Sequence, residues 1–165
     1  MKKAIIVYYS YSGNTKIIAE ALKISLGNEY SSDIVRLEAL DESDKFIVQA
    51  VRALFKKQAQ VKKNMPIDLS VYDLVCIGTP VWAFGPAPAA RTFLNNCTGL
   101  AGKRVVLFST YGSGAGKNKC MREMETMVKD KGAIKAVSFL IQQMQVKVPD
   151  KFKAKIEEAL AGVSK

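Results

Sequence analysis

Three short segments concentrate the residue types with chemical use. The first is Ser10-Tyr11-Ser12-Gly13-Asn14-Thr15, which follows an apolar run and precedes an amphipathic one. A helix beginning there leaves several backbone N–H groups without internal partners and gathers partial positive charge at its start. With the hydroxyls of Ser10, Ser12 and Thr15, the turn becomes a cage of donors for a phosphate group, with no obligatory lysine or arginine. The same residues equally suit an ordinary strand–turn–helix with Ser12 or Thr15 as N-cap. The second segment, residues 78–88, holds the only tryptophan, Trp82, among prolines that forbid a helix before Pro88. A tryptophan on a stiff loop offers a flat apolar wall for a planar ring, with backbone amides free for polar edges. The alternative is a lid packed over the core.

The third segment, residues 109–117, carries Gly112, Gly114 and Gly116 at alternate positions, so its backbone can approach a ligand closely. Tyr111 is placed to cover a second face of a ring. Two nucleotide motifs fail here. Three residues separate Gly112 from Gly116-Lys117 where a Walker loop has four, and Asn118 stands in place of its Ser/Thr. The segment also lacks the last glycine of the dinucleotide fingerprint and does not follow the first strand.

Histidine is absent. That excludes Ser-His and Cys-His nucleophile systems and nearly every common zinc site, so any chemistry is expected from a cofactor. Cys76, Cys97 and Cys120 form no Cys-x-x-Cys pair and read as free thiols in a reducing compartment. No stretch has the length of a signal-peptide core or a membrane span, and a cytoplasmic location is expected. The formal net charge is +10, with Arg52, Lys56, Lys57, Lys62 and Lys63 in one segment free of acids. Such a run is either a solvated helix face or a patch for an acidic partner. No aromatic series interleaves to stack bases, and nucleic acid is not expected.

These segments need elements to hold them. Apolar runs place strands at residues 3–9, 33–37, 74–79, 104–110 and 136–141. Helical spacing marks 15–26, 44–61, 88–95, 120–131 and 150–160. Strands that each precede a helix make a parallel sheet covered on both faces, in a single domain of 165 residues. In a doubly wound sheet, ligands sit beyond the carboxyl ends of the strands, where the three segments lie. A phosphate cage, an aromatic wall and a glycine loop there suit a ligand with a phosphate tail and a flat heteroaromatic head. A receiver domain of the same topology needs acids where Ser10 and Thr79 stand.

Over essentially its whole length the chain resembles the flavodoxin family. Ser10-x-Ser12-Gly13-x-Thr15 is similar to the family's [Ser/Thr]-x-[Ser/Thr]-Gly-x-[Ser/Thr] phosphate loop. Gly78-Thr79-Pro80-Val81-Trp82, with the continuation from Gly85 to Arg91-Thr92-Phe93-Leu94, resembles the first flavin loop, and 109–116 the second. The resemblance implies a three-layer sandwich on a five-stranded parallel sheet of order 2-1-3-4-5, and FMN as cofactor. It implies that Ser10, Ser12, Gly13, Asn14 and Thr15 hold the FMN phosphate. Thr79, Pro80, Trp82, Ala83 and Gly85 would then contact one side of the isoalloxazine. Ser109, Thr110, Tyr111, Gly112 and Gly114 would contact its other side or pyrimidine edge. No side chain need act as acid or base, and no metal is implied.

The implied function is electron carriage between redox partner proteins through non-covalent FMN. An NAD(P)H-dependent quinone or FMN reductase is the alternative, with Arg91, Lys117 or Lys119 drawing the nicotinamide cofactor's phosphate. A flavin-independent binding module using the basic helix 45–63 is the third, and no element specifies an oligomeric state. Carriers of this family are typically acidic around the flavin. This chain is basic and has no acidic residue in either flavin loop, which eases flavin reduction and changes which partners dock.

Overall fold

The computed structural model describes residues 1–38 and 67–164. The helix expected over 44–61 and the basic run 52–63 lie outside the described residues.

The apolar run at the start forms β1 (Lys2–Tyr8), buried from Ala4 onward. After a polar turn, α1 (Asn14–Leu26) buries Thr15, Ile18, Ala19, Leu22 and Leu26 at helical spacing and leaves Ile17 exposed. β2 (Tyr30–Arg36) follows, and the chain returns to the sheet with β3 (Leu74–Trp82). A two-residue strand, β4 (Gly85–Pro86), leads into α2 (Pro88–Asn96), which opens with proline, a residue that costs a helix start no hydrogen bond. β5 (Arg104–Tyr111), α3 (Lys117–Asp130), β6 (Lys135–Gln142), a 3-10 turn (Gln143–Gln145) and α4 (Asp150–Ser164) complete the order.

The strands lie side by side as β2-β1-β3-β5-β6, all parallel. With β4 set aside this is the expected order 2-1-3-4-5. β4 is the addition: it pairs antiparallel with β3, Trp82 opposite Gly85 and Val81 opposite Pro86. β3 also runs three residues past its expected end, through Pro80. Gly78 O accepts from Tyr9 N, so Gly78 and, two residues on, Pro80 face the β1 side of the strand. The β1 ladder stops at Tyr8–Gly78, so a missing N–H at Pro80 removes no sheet bond.

Alternation along the buried strands divides the interior into two layers. Val7, Ile77 and Leu107 face Ala90 and Phe93 of α2 and Met124 and Val128 of α3. Ile6, Cys76, Val106 and Phe108 face Ile18 and Leu22 of α1 and Phe152 and Ile156 of α4. The Phe108 ring lies over Gly78, where a Cβ would stand 2.1 Å from it, so only glycine fits beneath. All three cysteines are buried, and burial pushes the Cys120 thiol up to about 12. Among the described residues no helix is long and apolar enough to cross a membrane.

Candidate functional site

The carboxyl ends of β1, β3 and β5 meet in register, Tyr8 beside Gly78 and Pro80 beside Thr110. At the first end the chain turns sharply through Ser10, which is buried and fixed at two atoms. Its Oγ accepts from the Lys16 N–H at 3.3 Å, and its carbonyl accepts from Arg36 Nη2 at 3.1 Å. The N-cap of α1 is Gly13, in the left-handed region at φ 88°, and no side chain caps the helix from that position. The ordinary capped start, with Ser12 or Thr15 as N-cap, is therefore not what forms. The first turn of α1 holds no acidic residue. Asn14 Nδ2 donates to Ser12 Oγ at 3.1 Å, closing the turn beside Gly13.

At the second end, β3 doubles back into β4 through a two-residue loop, Ala83-Phe84. Both residues have positive φ, 42° and 67°. That pairing is the signature of the type I′ hairpin, a place normally taken by Asn-Gly, and each non-glycine residue there costs about 1–2 kcal/mol. Thr79 fastens the hairpin base: its hydroxyl donates to Pro80 O and accepts from Ala87 N, both at 3.0 Å. Arg91 fastens it from below, with Nη2 lying where a Cβ on Gly85 would stand, at 2.4 Å. The Arg91 side chain is buried and paired through Nε with Glu123 of α3 at 2.8 Å. Trp82 is only 8% exposed. Tyr9 and Tyr11 flank it edge-on, with ring centroids 5.5 and 5.6 Å away. The two tyrosines pack Trp82 against the fold. The aromatic surface turned outward belongs to Tyr11 and Phe84.

At the third end the side chains divide. Ser109 points into the core toward Cys120 Sγ (3.9 Å) and Met124 Sδ (3.8 Å), so only its backbone is left for a ligand. Thr110 points to the opposite face, where its hydroxyl meets that of Thr15 at 2.9 Å. Tyr111 lies beneath Lys117, whose Nζ is 4.6 Å from the ring centroid. Gly112 O accepts from Gln142 Nε2 at 3.4 Å, and Gly116, at φ 75°, caps α3. That left-handed cap sets the start of α3 at Lys117, three residues before the expected one.

Three contacts join the loops. Thr15–Thr110 ties the first to the third, Trp82 with Tyr9 and Tyr11 ties the second to the first, and Phe84 rests on Gly116 of the third. The residues fit a phosphate-bearing planar group. A glycine-capped helix start without carboxylates lies next to Lys16 and Arg36, and the other two loops contain no acid. Arg91, expected as a free cation, is not one: its buried pairing with Glu123 makes it part of the scaffold. Sequence reasoning missed Tyr9, Tyr11, Arg36 and Phe84 as parts of this site. The tyrosines had a visible signal, flanking Ser10 in the turn, whereas Arg36 is brought in only by the β1–β2 register.

A family model described as Flavodoxin matches residues 3–145. The fold is similar to an NADH:FMN oxidoreductase in its apo form, at 17% identity over 98% of this chain and 87% of that one, with a TM-score of 0.68. It is also similar to oxidised flavodoxin 2 from Bacillus cereus, at 22% identity over 94% and 98% of the two chains, with a TM-score of 0.59. The two-electron reduced flavodoxin of Megasphaera elsdenii is 21% identical over 96% and 98%, with a TM-score of 0.57. With the family model spanning the sheet and all three loops, the chain belongs to the flavodoxin family, whose cofactor is FMN.

Proposed function

We propose that this chain is an electron carrier that works through non-covalently bound FMN held across the three loops. The observation that supports it best is their mutual attachment around a glycine-capped helix start whose first turn holds no carboxylate. Bound there, FMN supplies one- and two-electron chemistry at its ring system. The chain's own residues bind and orient. Ser10, held at hydroxyl and carbonyl, presets the phosphate loop. The amides at the start of α1 and the hydroxyls of Ser12 and Thr15 receive the phosphate. When Thr110 donates its proton to Thr15, the Thr15 hydroxyl keeps its own for a phosphate oxygen. Trp82, wedged between Tyr9 and Tyr11, keeps the hairpin rigid; the backbone of 83–85 would line one side of the ring, and Tyr111 and Gly112 would line the other. With no carboxylate in the three loops, those loops would put no negative charge beside the ring to oppose its reduction.

A second reading, an NAD(P)H-dependent quinone or FMN reductase, draws support from the likeness to the NADH:FMN oxidoreductase. Its expected cation set is reduced here. Arg91 is buried in an ion pair and Lys117 lies over Tyr111, which leaves Lys119 exposed. The two readings separate in one assay on FMN-loaded protein. A carrier accepts electrons from a reduced redox protein and oxidises NADPH and NADH no faster than free FMN does; steady NAD(P)H oxidation with a quinone establishes the reductase.

A further inference from the structure

Phe84 is the least economical residue in the fold. It occupies the left-handed second position of a tight hairpin at φ 67°, next to Ala83 at 42°, and these are the only non-glycine residues of positive φ among the described ones. Half of its surface stays in solvent, for Phe84 is 50% exposed. Its support is Gly116, where a Cβ would stand 2.5 Å from Phe84 Cα and 2.5 Å from its ring. Both the hairpin and the cap of α3 are thus shaped to hold an aromatic ring outward. A strained turn that keeps half of an aromatic ring in solvent points to a contact outside the chain.

The surroundings define that partner. Lys117 and Lys119 open α3 directly after Gly116. Across the site stands Tyr11, in edge contact with Trp82. On the β6 side, Gln143 approaches Gly112 and is followed by Met144, 81% exposed, and then by exposed Lys147 and Lys151. The three loops contribute no carboxylate; Asp150 is the only acid in the 142–151 turn. An exposed aromatic with lysines on the neighbouring elements is the layout of a protein interface, with a desolvated centre and a charged rim that steers approach. A small anionic ligand would use the cations but has no need of an exposed phenylalanine.

We propose that this rim is a docking face for an acidic redox protein, with Phe84 as its apolar anchor and Lys119 and Lys147 among its steering charges. The proposal rests on the carrier reading and specifies the partner's chemistry. The test uses FMN-loaded protein, an acidic plant-type ferredoxin as probe and basic cytochrome c as control, with affinities measured by calorimetry across a salt series. Phe84→Asn suits the left-handed position better than phenylalanine does, so the variant keeps or gains thermal stability. On FMN-saturated protein it is expected to lose about tenfold in ferredoxin affinity. Lys119→Gln/Lys147→Gln is expected to lose about tenfold at low salt and little at high salt. Ferredoxin bound no more tightly than cytochrome c, or with no salt dependence, overturns the proposal. So does weakened FMN binding in Phe84→Asn, which would make the ring a cofactor contact, or binding of the rim to anionic vesicles in place of ferredoxin. Failure of the parent to bind FMN is read in its own titration and sinks the carrier reading instead.

Discussion

Replacing Thr15 with valine separates scaffold from binding site at one atom. The Thr15 and Thr110 hydroxyls meet at 2.9 Å with both residues 1% exposed, so neither has solvent to fall back on. Valine keeps the shape of threonine and removes its hydroxyl, leaving that of Thr110 buried without a partner. The apo protein should lose about 1–3 kcal/mol of stability. Losing a hydrogen bond to the charged phosphate should cost about 1.5–3 kcal/mol of FMN binding, or roughly 10- to 150-fold in Kd. Riboflavin has no phosphate, and its affinity should move by less than about twofold, within about 0.4 kcal/mol. The double variant Thr15→Val/Thr110→Val removes both hydroxyls, so apo stability should return close to the parent value while FMN affinity stays low. Urea unfolding reads the first quantity and fluorescence titration with the two flavins reads the second. Undiminished FMN affinity in Thr15→Val, or recovery of it in the double variant, would refute the assignment of Thr15 to the phosphate.

Arg36→Gln frees the Ser10 carbonyl and removes a cation beside the phosphate loop; FMN affinity should fall about tenfold, less at high salt, with riboflavin affinity unchanged. Gly116→Ala combines a left-handed alanine, about 1–2 kcal/mol, with a clash on Phe84, about 1–3 kcal/mol. Gly102→Ala is its control in urea unfolding: it shares the positive φ, has nothing within 4 Å of the new Cβ, and should show the first cost alone. Glu123→Ala strands the buried Arg91 charge and should cost about 3–5 kcal/mol, much of it regained in Arg91→Met/Glu123→Leu, as thermal or urea unfolding would show. Burial raises the Cys120 thiol from 9.0 to about 12 and raises Cys76 and Cys97 as well. Above pH 9 the unfolded chain therefore binds fewer protons than the folded one. Stability should fall there by up to about 1.4 kcal/mol per pH unit for each thiol, a slope that Cys120→Ala reduces in unfolding at about pH 8 and about pH 10.

Much of this was legible in the residues because burial writes its own period. β1, β3 and β5, covered on both faces, are continuous apolar runs; their parallel arrangement followed from alternation with helices, and their order from the family resemblance. The meeting of the loops was legible, since Gly13, Gly114 and Gly116, all at positive φ, serve backbone roles that few other residues can fill. The hairpin was not. Its turn residues are Ala83 and Phe84 where the I′ geometry ordinarily shows Asn-Gly, and Pro80 disguises the strand that leads into it. Side-chain direction was also hidden. Ser109 and Thr110 are neighbours with similar chemistry, yet strand alternation sends one to the core sulfurs and the other to Thr15. Arg91 looks like a surface cation until α3 supplies Glu123, and Arg36 joins the phosphate loop only through sheet register.

The most direct test is a titration of the purified protein with FMN, followed through flavin fluorescence and through the emission of Trp82, the only tryptophan. The account predicts saturable binding of one FMN per chain at micromolar or lower concentration, with both emissions quenched, and riboflavin at least about tenfold weaker. No binding at micromolar FMN, or equal affinity for riboflavin, would contradict it.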